Sequence, residues 1–267
     1  MVRHPVDGRV HFSELKELRK SPVHYKYACE TAREITRPMR VGYVSDRIVF
    51  GGGGYEVAEI DARRGKAWDQ AMAACPPGSM LVTQAEYADA CGAAQAVLAD
   101  PIARARLDGC EFQRVMQWES YGLRCAAGIA GERGGFDAWC RSRDGTPGYI
   151  ADLKTTASAD PDELARHVYR MCWHAQAAWY LDGAKALCLD AAEFYLICVE
   201  ASPPHPVTVL RLPEPVIELG RRALRLWTER LRACDQADVW PGYVQSEVEL
   251  EVPAWMQGEG ESVGATE

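Results

Sequence analysis

Apolar residues recur along this chain with two spacings, one typical of helices and one typical of strands. Residues 84–99 are rich in alanine and keep a helical spacing, and residues 214–234 carry an apolar stripe beside a charged face. Residues 160–187 are predicted to form one helix, with Asp160 as its N-cap and Pro161 in its first turn. The chain is therefore predicted to contain several long helices.

Strand patterns lie between these helical segments. Residues 136–140 and 149–155 alternate in part and carry aromatic or β-branched side chains, which is typical of strands. The intervening residues 141–148 contain Asp-Gly and Pro-Gly pairs and predict a hairpin loop. Residues 192–201 form a nearly all-apolar run typical of a buried strand, and residues 207–212 predict another. Together the helices and strands predict an α/β domain.

The N-terminal residues predict a group of helices. Ser13 is a candidate N-cap of a first helix, and Pro22 starts a second helix within residues 21–34. Residues 40–49 fit either a helix or a short strand, and four glycines end the element in both cases. Residues 55–81 are ambiguous and show a strand pattern only at their start.

Composition narrows the class of protein. The chain has 267 residues, 48% of them apolar and 25% charged, which fits one soluble domain with a sizeable core. Its ten cysteines stand singly, without a C-x-x-C pair, so a zinc ribbon or an iron–sulfur cluster is not expected. No apolar run approaches the roughly 20 residues that span a bilayer, and the first residues lack the apolar core of a signal peptide. We therefore expect a cytoplasmic protein without a membrane partner.

The net charge of −8 limits how this protein can contact nucleic acid. A protein that coats nucleic acid usually carries an excess of basic residues. Any contact with DNA must therefore be local, at a groove, a channel or a single end. Carboxylates grouped in a metal site would also make the net charge more negative.

Three charged residues of the predicted hairpin are candidates for chemistry. Asp152 and Lys154 stand two residues apart on one strand, so both side chains leave the same face, and Asp137 on the neighbouring strand can join them. Adjacent carboxylates repel each other, and Mg²⁺ removes that repulsion because it binds one or two carboxylates together with water and phosphate oxygens. Such a cluster suits hydrolysis of phosphodiesters. The alternative is that Asp152 and Lys154 form a solvated pair at the surface. Asp137 argues against this alternative, because it lies in an apolar run and an unpaired buried charge is costly.

Several stretches of the chain resemble known nucleases. Three of them resemble the core of PD-(D/E)XK nucleases: FDAW, ADLKTT and HAQAAWYLDG. Three more resemble the RecE-type branch, the exonuclease VIII family of phage and prophage recombination enzymes: SELKELRKSPVHYKYACE, MRVGYVSDRIVF and VWPGYVQSEVELEVPAW. With gaps, the resemblance runs from Ser13 to Trp255, and the combination of motifs is more specific than an Asp-x-Lys pair alone.

The resemblance implies a fold. It implies the restriction-endonuclease-like α/β (α+β) core of the PD-(D/E)XK superfamily, a central mixed sheet flanked by helices, together with an N-terminal helical segment. We expect a single domain over residues 1–257, with the N-terminal helices in 13–50, the catalytic core in 110–212, and a C-terminal helix and extended tail in 213–257. Residues 258–267 are rich in Gly, Glu and Ser and are expected to be disordered.

The family pattern implies a role for each charged residue of the hairpin. Asp137 and Asp152 are the implied metal ligands, the Leu153 carbonyl is an implied further ligand, and Lys154 is the implied catalytic lysine. Mg²⁺ is the expected metal, and Mn²⁺ is expected to substitute for it. Lys154 would orient a water molecule or help to deprotonate it, and would stabilise charge on the phosphate.

Further candidates lie on the predicted helix after the hairpin and in the loop before it. Gln176 and Tyr180 match a Gln-x-x-x-Tyr motif, and the resemblance implies that they position the DNA strand or Lys154 from one helix face. A surface amide and a half-buried core tyrosine are the alternatives. His174 matches a histidine of the family that could contact phosphate, with a structural role as the alternative. Arg133 could contact DNA or be a solvated loop residue.

Asp46 departs from the family pattern, which usually has a histidine after the segment that MRVGYVSDRIVF resembles. Either Asp46 replaces that histidine as a ligand, since oxygen is the harder donor for Mg²⁺, or it pairs with Arg40 or Arg47 at the surface. In the second case the second metal of such a site would bind weakly and activity would fall. Glu111 and Glu119 are candidates for an additional acid of the site.

The resemblance implies a metal-dependent exodeoxyribonuclease in the cytoplasm of a bacterial host cell. The implied substrate is a double-stranded DNA end, whose 5′-ended strand is degraded to leave a 3′ single strand for a partner annealing protein. A ring-like homo-oligomer through which DNA threads is also implied. Two rival functions stay open: an endonuclease or single-strand nuclease on the same fold, and a DNA-binding or assembly protein that has lost catalytic activity.

Overall fold

A computed structural model describes residues 7–128, 136–244 and 246–252 of the chain. The helices in these ranges are α1 (Phe12–Leu15), α2 (Pro22–Glu30), α3 (Arg37–Val49), α4 (Lys66–Ala74), α5 (Gln84–Ala99), α6 (Pro101–Leu107), α7 (Pro161–Arg170), α8 (Trp173–Ala186) and α9 (Glu214–Ala237). A 3-10 turn, Lys16–Arg19, follows α1 directly. The strands are β1 (Val10–His11), β2 (Tyr55–Ala58), β3 (Met80–Thr83), β4 (Glu111–Arg114), β5 (Met116–Ser120), β6 (Leu123–Ala127), β7 (Phe136–Cys140), β8 (Tyr149–Thr156), β9 (Glu193–Glu200) and β10 (Val207–Leu212).

The strands form a central sheet and two smaller sheets. The central sheet has the order β10-β9-β8-β7-β4, in which β8 and β9 are parallel and the other neighbours are antiparallel. A three-stranded sheet, β1-β6-β5, and a pair, β2-β3, contain the other described strands. The predicted α/β fold with a central mixed sheet is confirmed.

Helices cover both faces of the central sheet, because successive residues of its inner strands point to opposite sides. On one side, Ile150 of β8 and Leu196 of β9 join a core that includes the fully buried Trp179 of α8. On the other side, Ala151 and Ile197 pack with residues of α3, α5 and α6. Even-numbered residues of β8 therefore face α8, and odd-numbered ones face the opposite layer.

The predicted hairpin forms as β7 and β8. Ala138 pairs with Ala151 in an antiparallel register, and the paired positions end there, next to Asp137 and Asp152. The loop predicted over residues 141–148 joins the two strands. Local turn chemistry and alternation were sufficient to predict this unit, and it carries the charged residues of interest.

The prediction of one helix over residues 160–187 is wrong in one respect, because this stretch forms two helices. Cys172 lies between α7 and α8 with a left-handed backbone conformation (φ 61°), which interrupts the helix. Asp160 caps α7 as predicted, and its carboxylate accepts hydrogen bonds from the N–H groups of Asp162 and Glu163. The break separates the helix that carries the Gln-x-x-x-Tyr motif from the helix before it.

The N-terminal predictions need two corrections. Ser13 is not an N-cap, because it lies inside α1 and its hydroxyl donates a hydrogen bond to the Glu14 carboxylate. The second helix starts at Pro22 as predicted but ends at Glu30. Residues 40–49 belong to a helix, α3, so the strand alternative is excluded.

The ambiguous residues 55–81 contain β2, α4 and the start of β3. β2 and β3 pair in parallel, and parallel neighbours need a crossover between them, which here contains α4. Because this pairing is not local, the sequence pattern alone did not reveal it.

Two earlier expectations concern residues outside the described ranges: the disordered tail at 258–267 and the loop that contains Arg133. The limits expected for the domain and its parts stay a prediction. None of the helices that the structure describes is both long and apolar enough to cross a bilayer.

Candidate active site

Asp152 and Lys154 of β8 form the centre of the candidate site. Both are even-numbered residues and leave the face of β8 that is turned toward α8. The Lys154 ammonium forms an ion pair with the Asp152 carboxylate, and Asp152 is 3% exposed. The two residues therefore form a largely buried pair, so the alternative of a solvated surface pair is excluded.

Asp137 is held by the backbone of the neighbouring strand. The Leu153 N–H donates a hydrogen bond of 2.6 Å to Asp137 Oδ2. Burial raises the pKa of Asp137 well above its usual range, and the nearby carboxyl groups of Asp152 and Asp46 raise it further. This contact uses the Leu153 N–H, and a ligand role for the Leu153 carbonyl stays a prediction.

Helix α3 brings Asp46 to the same place. The helix lies close against β8 at Gly42, where an added Cβ would stand 2.7 Å from Thr155 Oγ1. One turn further along α3, the Asp46 carboxyl group accepts a hydrogen bond from the same Gln113 amide that contacts the Asp137 carboxyl group. Burial raises the pKa of Asp46. A side chain at position 42 would crowd the Thr155 hydroxyl, so the glycine allows α3 to approach β8 closely at this point.

The alternative of a surface salt bridge for Asp46 is excluded. Arg40 pairs with Glu86 at 2.7 Å, and Arg47 donates a hydrogen bond of 3.3 Å to the Tyr43 hydroxyl. Among the described residues, neither arginine forms a salt bridge with Asp46, and the Arg47 guanidinium only offsets part of the rise in the pKa of Asp46 from longer range. Asp46 therefore lies beside the hairpin acids, at the chain position where the family has a histidine.

Gln113 of β4 was not a sequence candidate, yet it joins two of these carboxyl groups. Its Nε2 donates hydrogen bonds to Asp46 Oδ2 at 3.0 Å and to Asp137 Oδ1 at 3.4 Å. Phe112 pairs with Ala138 in the β4–β7 register, so Gln113 lies opposite Asp137. It adopts a left-handed conformation (φ 54°), which is uncommon for this residue type and is often found at functional sites. No local pattern marks Gln113, because its position depends on strand pairing.

Asp46, Asp137, Asp152 and Lys154 are called the acidic cluster below. Burial alone would lower the pKa of the Lys154 amine, but the Asp152 and Asp137 carboxyl groups outweigh burial and raise it. The Lys154 Nζ also lies 5.8 Å from the centre of the Trp173 ring. The Lys154 amine thus faces three carboxyl groups, and the Arg47 guanidinium acts on Asp46 from longer range, so acidic groups are still in excess.

The Gln-x-x-x-Tyr motif of α8 lies beside the acidic cluster. Gln176 Nε2 donates a hydrogen bond of 3.1 Å to the Tyr180 hydroxyl oxygen. Tyr180 is buried, and burial raises the pKa of its hydroxyl, with the Asp152 and Asp137 carboxyl groups raising it further. Gln176 and Tyr180 therefore share an environment with the hairpin residues, while their catalytic roles stay predictions.

The two glutamates considered as an additional acid lie elsewhere. Glu111 is exposed and forms salt bridges with Arg114 at 2.7 Å and with Arg141 at 3.2 Å. Glu119 is exposed on β5, which belongs to the three-stranded sheet. Neither side chain joins the acidic cluster, and Gln113 occupies the position on β4 opposite Asp137.

His174 also lies apart from the acidic cluster. Its Nδ1 contacts the Val168 carbonyl oxygen at 3.3 Å, and its ring lies 5.1 Å from the Tyr169 ring. Burial lowers the pKa of this imidazole. These contacts fit the structural alternative for His174, and a phosphate contact stays a prediction.

The donor set of the acidic cluster fits a hard divalent cation. Mg²⁺ prefers oxygen and takes one or two carboxylates together with water and phosphate oxygens. Within the described ranges, no group of three His, Cys, Asp or Glu side chains is arranged so that it could hold an ion by itself. The protein would therefore supply Asp137 and Asp152, with Asp46 beside them, and leave other positions to water or phosphate. The excess of carboxyl groups is the observation that favours a cation.

A cleft of about 270 Å³ opens beside the acidic cluster. Its walls come from the N-terminal segment, β6 and α8, and they include Lys16, Arg33, Lys154, Gln176 and Tyr180. Lys16 and Arg33 add positive charge to the wall of the cleft, in a protein whose net charge is −8. The cleft is thus the kind of local contact that the negative total allows for nucleic acid.

The mixed sheet, together with two aspartates and a lysine on adjacent strands, is the arrangement of the PD-(D/E)XK nuclease superfamily. A family model described as "PDDEXK-like domain of unknown function (DUF3799)" matches residues 11–249, and the chain belongs to that family. The predicted superfamily is therefore confirmed, whereas membership of the RecE-type branch stays a prediction.

The comparison with solved structures leads to the same fold. The chain is similar to the crystal structure of a "Putative exonuclease" from Eubacterium rectale, with a TM-score of 0.63 and 13% sequence identity. The match covers 94% of this chain and 92% of that chain. At this identity the likeness shows the fold alone. No curated protein matches the chain.

Proposed function

We propose that this protein is a metal-dependent deoxyribonuclease that hydrolyses phosphodiester bonds. The observation that carries the proposal is the acidic cluster, in which three carboxyl groups and one amine meet beside a cleft with basic walls. A structural ion pair needs one carboxylate for each cation. The additional acids suit a metal ion, and the basic groups of the cleft suit phosphate. Membership of a PDDEXK-like family supports this proposal.

The hairpin residues would perform the reaction. Asp137 and Asp152 would hold the metal, with Asp46 and the Leu153 carbonyl as further candidate ligands. A bound Mg²⁺ or Mn²⁺ would polarise the phosphate and lower the pKa of a water molecule. Lys154 would orient the attacking water and stabilise negative charge on the phosphate.

Neighbouring side chains would fix the geometry of this reaction. Gln113 would hold Asp46 and Asp137 in place through its two hydrogen bonds. Gln176 and Tyr180, which line the cleft with Lys154, would position the DNA strand at the lysine. Each of these groups acts by placing a reacting group, which is a major part of catalysis in enzymes.

The proposal extends to the substrate and the assembly. We propose a double-stranded DNA end as the substrate, digestion of the 5′-ended strand, and delivery of a 3′ single strand to an annealing protein. The resemblance to RecE-type enzymes supports this, and so does the description of the protein from Eubacterium rectale as a "Putative exonuclease". In a ring-shaped homo-oligomer the basic clefts of several subunits would add up to a positive channel despite the negative net charge.

The test compares linear duplex DNA with covalently closed circular duplex DNA, in Mg²⁺, in Mn²⁺ and in EDTA. We expect release of nucleotides from the linear substrate with either metal and none in EDTA. Lys154→Ala should reduce the rate by at least about 100-fold. Lys26→Ala is the control, because Lys26 lies on α2 outside the cleft.

Other results of these experiments would indicate a rival function or a different assembly. Cutting of the circle would indicate an endonuclease, and preference for single strands would indicate a single-strand nuclease. DNA binding without hydrolysis in either metal would contradict the proposal and favour the non-catalytic alternative. A monomer on size-exclusion chromatography at working concentration would contradict the proposed ring without affecting the proposed chemistry.

A further inference from the structure

Two basic side chains in the cleft have no part in the hydrolysis proposed above. Lys16 belongs to the 3-10 turn after α1, and Arg33 lies in the connection between α2 and α3. Both line the cleft together with Lys154. The N-terminal segment thus contributes positive charge to a cleft whose other side is formed by α8.

These two side chains lie close enough to influence each other. Burial lowers the pKa of the Lys16 amine, the positive charges of Arg33 and Lys154 lower it further, and the Glu17 carboxylate offsets part of this effect. The adjacent Glu17 carboxylate is paired with Lys20 at 2.7 Å.

Neither cation has a carboxylate at salt-bridge distance within the part of the chain that the structure describes. In that part, neither Lys16 nor Arg33 forms a salt bridge or a side-chain hydrogen bond, whereas Arg40 and Arg221 are paired with carboxylates. Cations that face each other in a partly enclosed cleft are costly unless an anion joins them. The cleft is therefore suited to an anionic ligand at this second place, beside Lys154.

We infer that Lys16 and Arg33 form a second phosphate-binding subsite, for a phosphate group on the same nucleic-acid strand whose scissile phosphate lies at Lys154. This inference rests on the proposed nuclease function. A nucleic-acid strand presents successive phosphates along its backbone, and Lys and Arg are their usual partners. One strand in the cleft could thus contact the acidic cluster with one phosphate and the N-terminal segment with another. The subsite fixes where the strand lies relative to Lys154.

A neighbouring groove shows where the positive charge ends. The groove shares Ser13 and Arg33 with the cleft, but its walls also include Glu14, Glu17 and Glu34 against a single further lysine. These glutamates disfavour continuation of a polyanionic strand past the arginine. The subsite is therefore suited to a phosphate near the end of the bound strand, either a terminal monoester or the last diester.

The test measures binding without turnover. Short labelled duplexes that end in a 5′-phosphate or a 5′-hydroxyl are titrated with protein in EDTA and followed by fluorescence anisotropy. We expect Lys16→Ala and Arg33→Ala each to weaken binding about tenfold, and the slope of log affinity against log salt to fall by about 0.9. Lys26→Ala is the control and should bind as the wild type does. In hydrolysis assays, Lys16→Ala should raise KM while kcat is retained.

The two duplexes identify the source of the phosphate. A preference of the wild type for the phosphorylated end, lost in Lys16→Ala, would assign the subsite to a terminal phosphate. An equal loss for both duplexes would assign it to a diester. Thermal unfolding checks that each variant is folded, and Lys16→Gln replaces Lys16→Ala if the alanine variant is not.

Failure of the subsite and failure of the nuclease function give different results. Wild-type affinity and salt dependence in both variants would overturn the inference, even where the wild type degrades DNA. Conversely, binding that depends on Lys16 in a protein that hydrolyses no DNA would contradict the nuclease function and retain the subsite.

Discussion

Helix α3 contributes to two buried groups of charged side chains that are built in opposite ways. In its first turn, Arg40 contacts the Glu86 carboxylate at 2.7 Å, and Arg63 contacts the same carboxylate at 3.2 Å. In its last turn, Asp46 joins the acidic cluster, where the Lys154 amine and, from longer range, the Arg47 guanidinium face three carboxyl groups. The first group is called the Glu86 group below, and its two arginines more than balance the charge of its carboxylate. The acidic cluster has too little positive charge to balance its three carboxyl groups.

The difference shows in the pKa values of the carboxyl groups. Burial alone would raise the pKa of Glu86, but Arg40, the Thr83 N–H and Arg63 together lower it. Glu86 also completes the capping box of α5. In the acidic cluster, burial and like charge raise the pKa of Asp137 instead. A charged group that is complete within the protein stabilises the fold, whereas one that lacks counter-charge is suited to receive a ligand.

The largest expected effect comes from removing charge from the acidic cluster. Asp137→Asn should lower the rate of DNA hydrolysis about 1000-fold, because the metal loses an anionic ligand. The amide oxygen can still accept the hydrogen bond from the Leu153 N–H. The same change removes one of three repelling carboxyl groups, so the free energy of unfolding should rise by about 1 kcal/mol in EDTA. Nuclease assays and chemical denaturation measure the two effects.

Asp61→Asn is the control for this prediction, because Asp61 is exposed in a bend after β2. It should change neither rate nor stability. A loss of stability in Asp137→Asn would mean that the acidic cluster is a structural group like the Glu86 group, and the contrast between them would disappear.

The next largest effect is expected when the Glu86 group is broken. Glu86→Gln leaves Arg40 and Arg63 without their shared carboxylate, and loss of one partner from a buried ion pair costs about 3 kcal/mol or more. Hydrolysis per folded molecule should be retained, since the group supplies no reacting atom. Denaturant unfolding measures the loss, and Glu56→Gln, an exposed position on β2, is the matched control. Loss of less than a few tenths of a kcal/mol would show that the arginines are solvated despite their contacts.

A smaller effect is expected from adding an acid to the acidic cluster. Gln113→Glu replaces the amide that donates hydrogen bonds to Asp46 and Asp137 with a fourth carboxyl group. In EDTA the variant should lose about 1 kcal/mol of stability through like-charge repulsion. Addition of Mg²⁺ should raise the stability of this variant by more than it raises the stability of the wild type, because a ligand that binds only the folded state stabilises that state. Thermal unfolding with and without Mg²⁺ measures this.

The control for the added charge is Gln84→Glu, at an exposed position in the first turn of α5. It should show the same Mg²⁺ response as the wild type. Equal Mg²⁺ responses in Gln113→Glu and the wild type would mean that no metal binds beside Gln113.

The local parts of the fold could be predicted from the sequence. The β7–β8 hairpin follows from alternation and from Asp-Gly and Pro-Gly pairs within a few residues of each other, and α5 follows from an unbroken helical spacing. The break at Cys172 could not be predicted, because a left-handed residue other than glycine or asparagine depends on tertiary packing. The parallel β2–β3 pairing joins residues separated by a helix, and no local pattern specifies it.

The same limit applies to the candidate site. Asp137, Asp152 and Lys154 could be grouped from the sequence because they belong to one hairpin, and the structure places them together. Gln113 is brought in by the β4–β7 register, and Lys16 lines the cleft because β1 pairs with β6 and the turn that follows α1 packs against α9. Such long-range placement leaves no signature in spacing, so sequence reasoning proposed Glu111 and Glu119 instead.

The smallest expected effect is the pH dependence of the Glu86 group. The pKa of Glu86 in the folded protein is lower than the ordinary value of about 4.3 that it has in the unfolded chain, because its partners outweigh burial. An acid with a lowered pKa adds stability that is fully present above the unfolded pKa and is lost as pH falls through the folded pKa. The difference in unfolding free energy between the wild type and Glu86→Gln should therefore be constant from pH 7 to about pH 5 and shrink below the ordinary value of about 4.3. Glu56→Gln should show no such trend, and a difference that grows as pH falls would mean that Glu86 is protonated in the folded protein, as burial alone would make it.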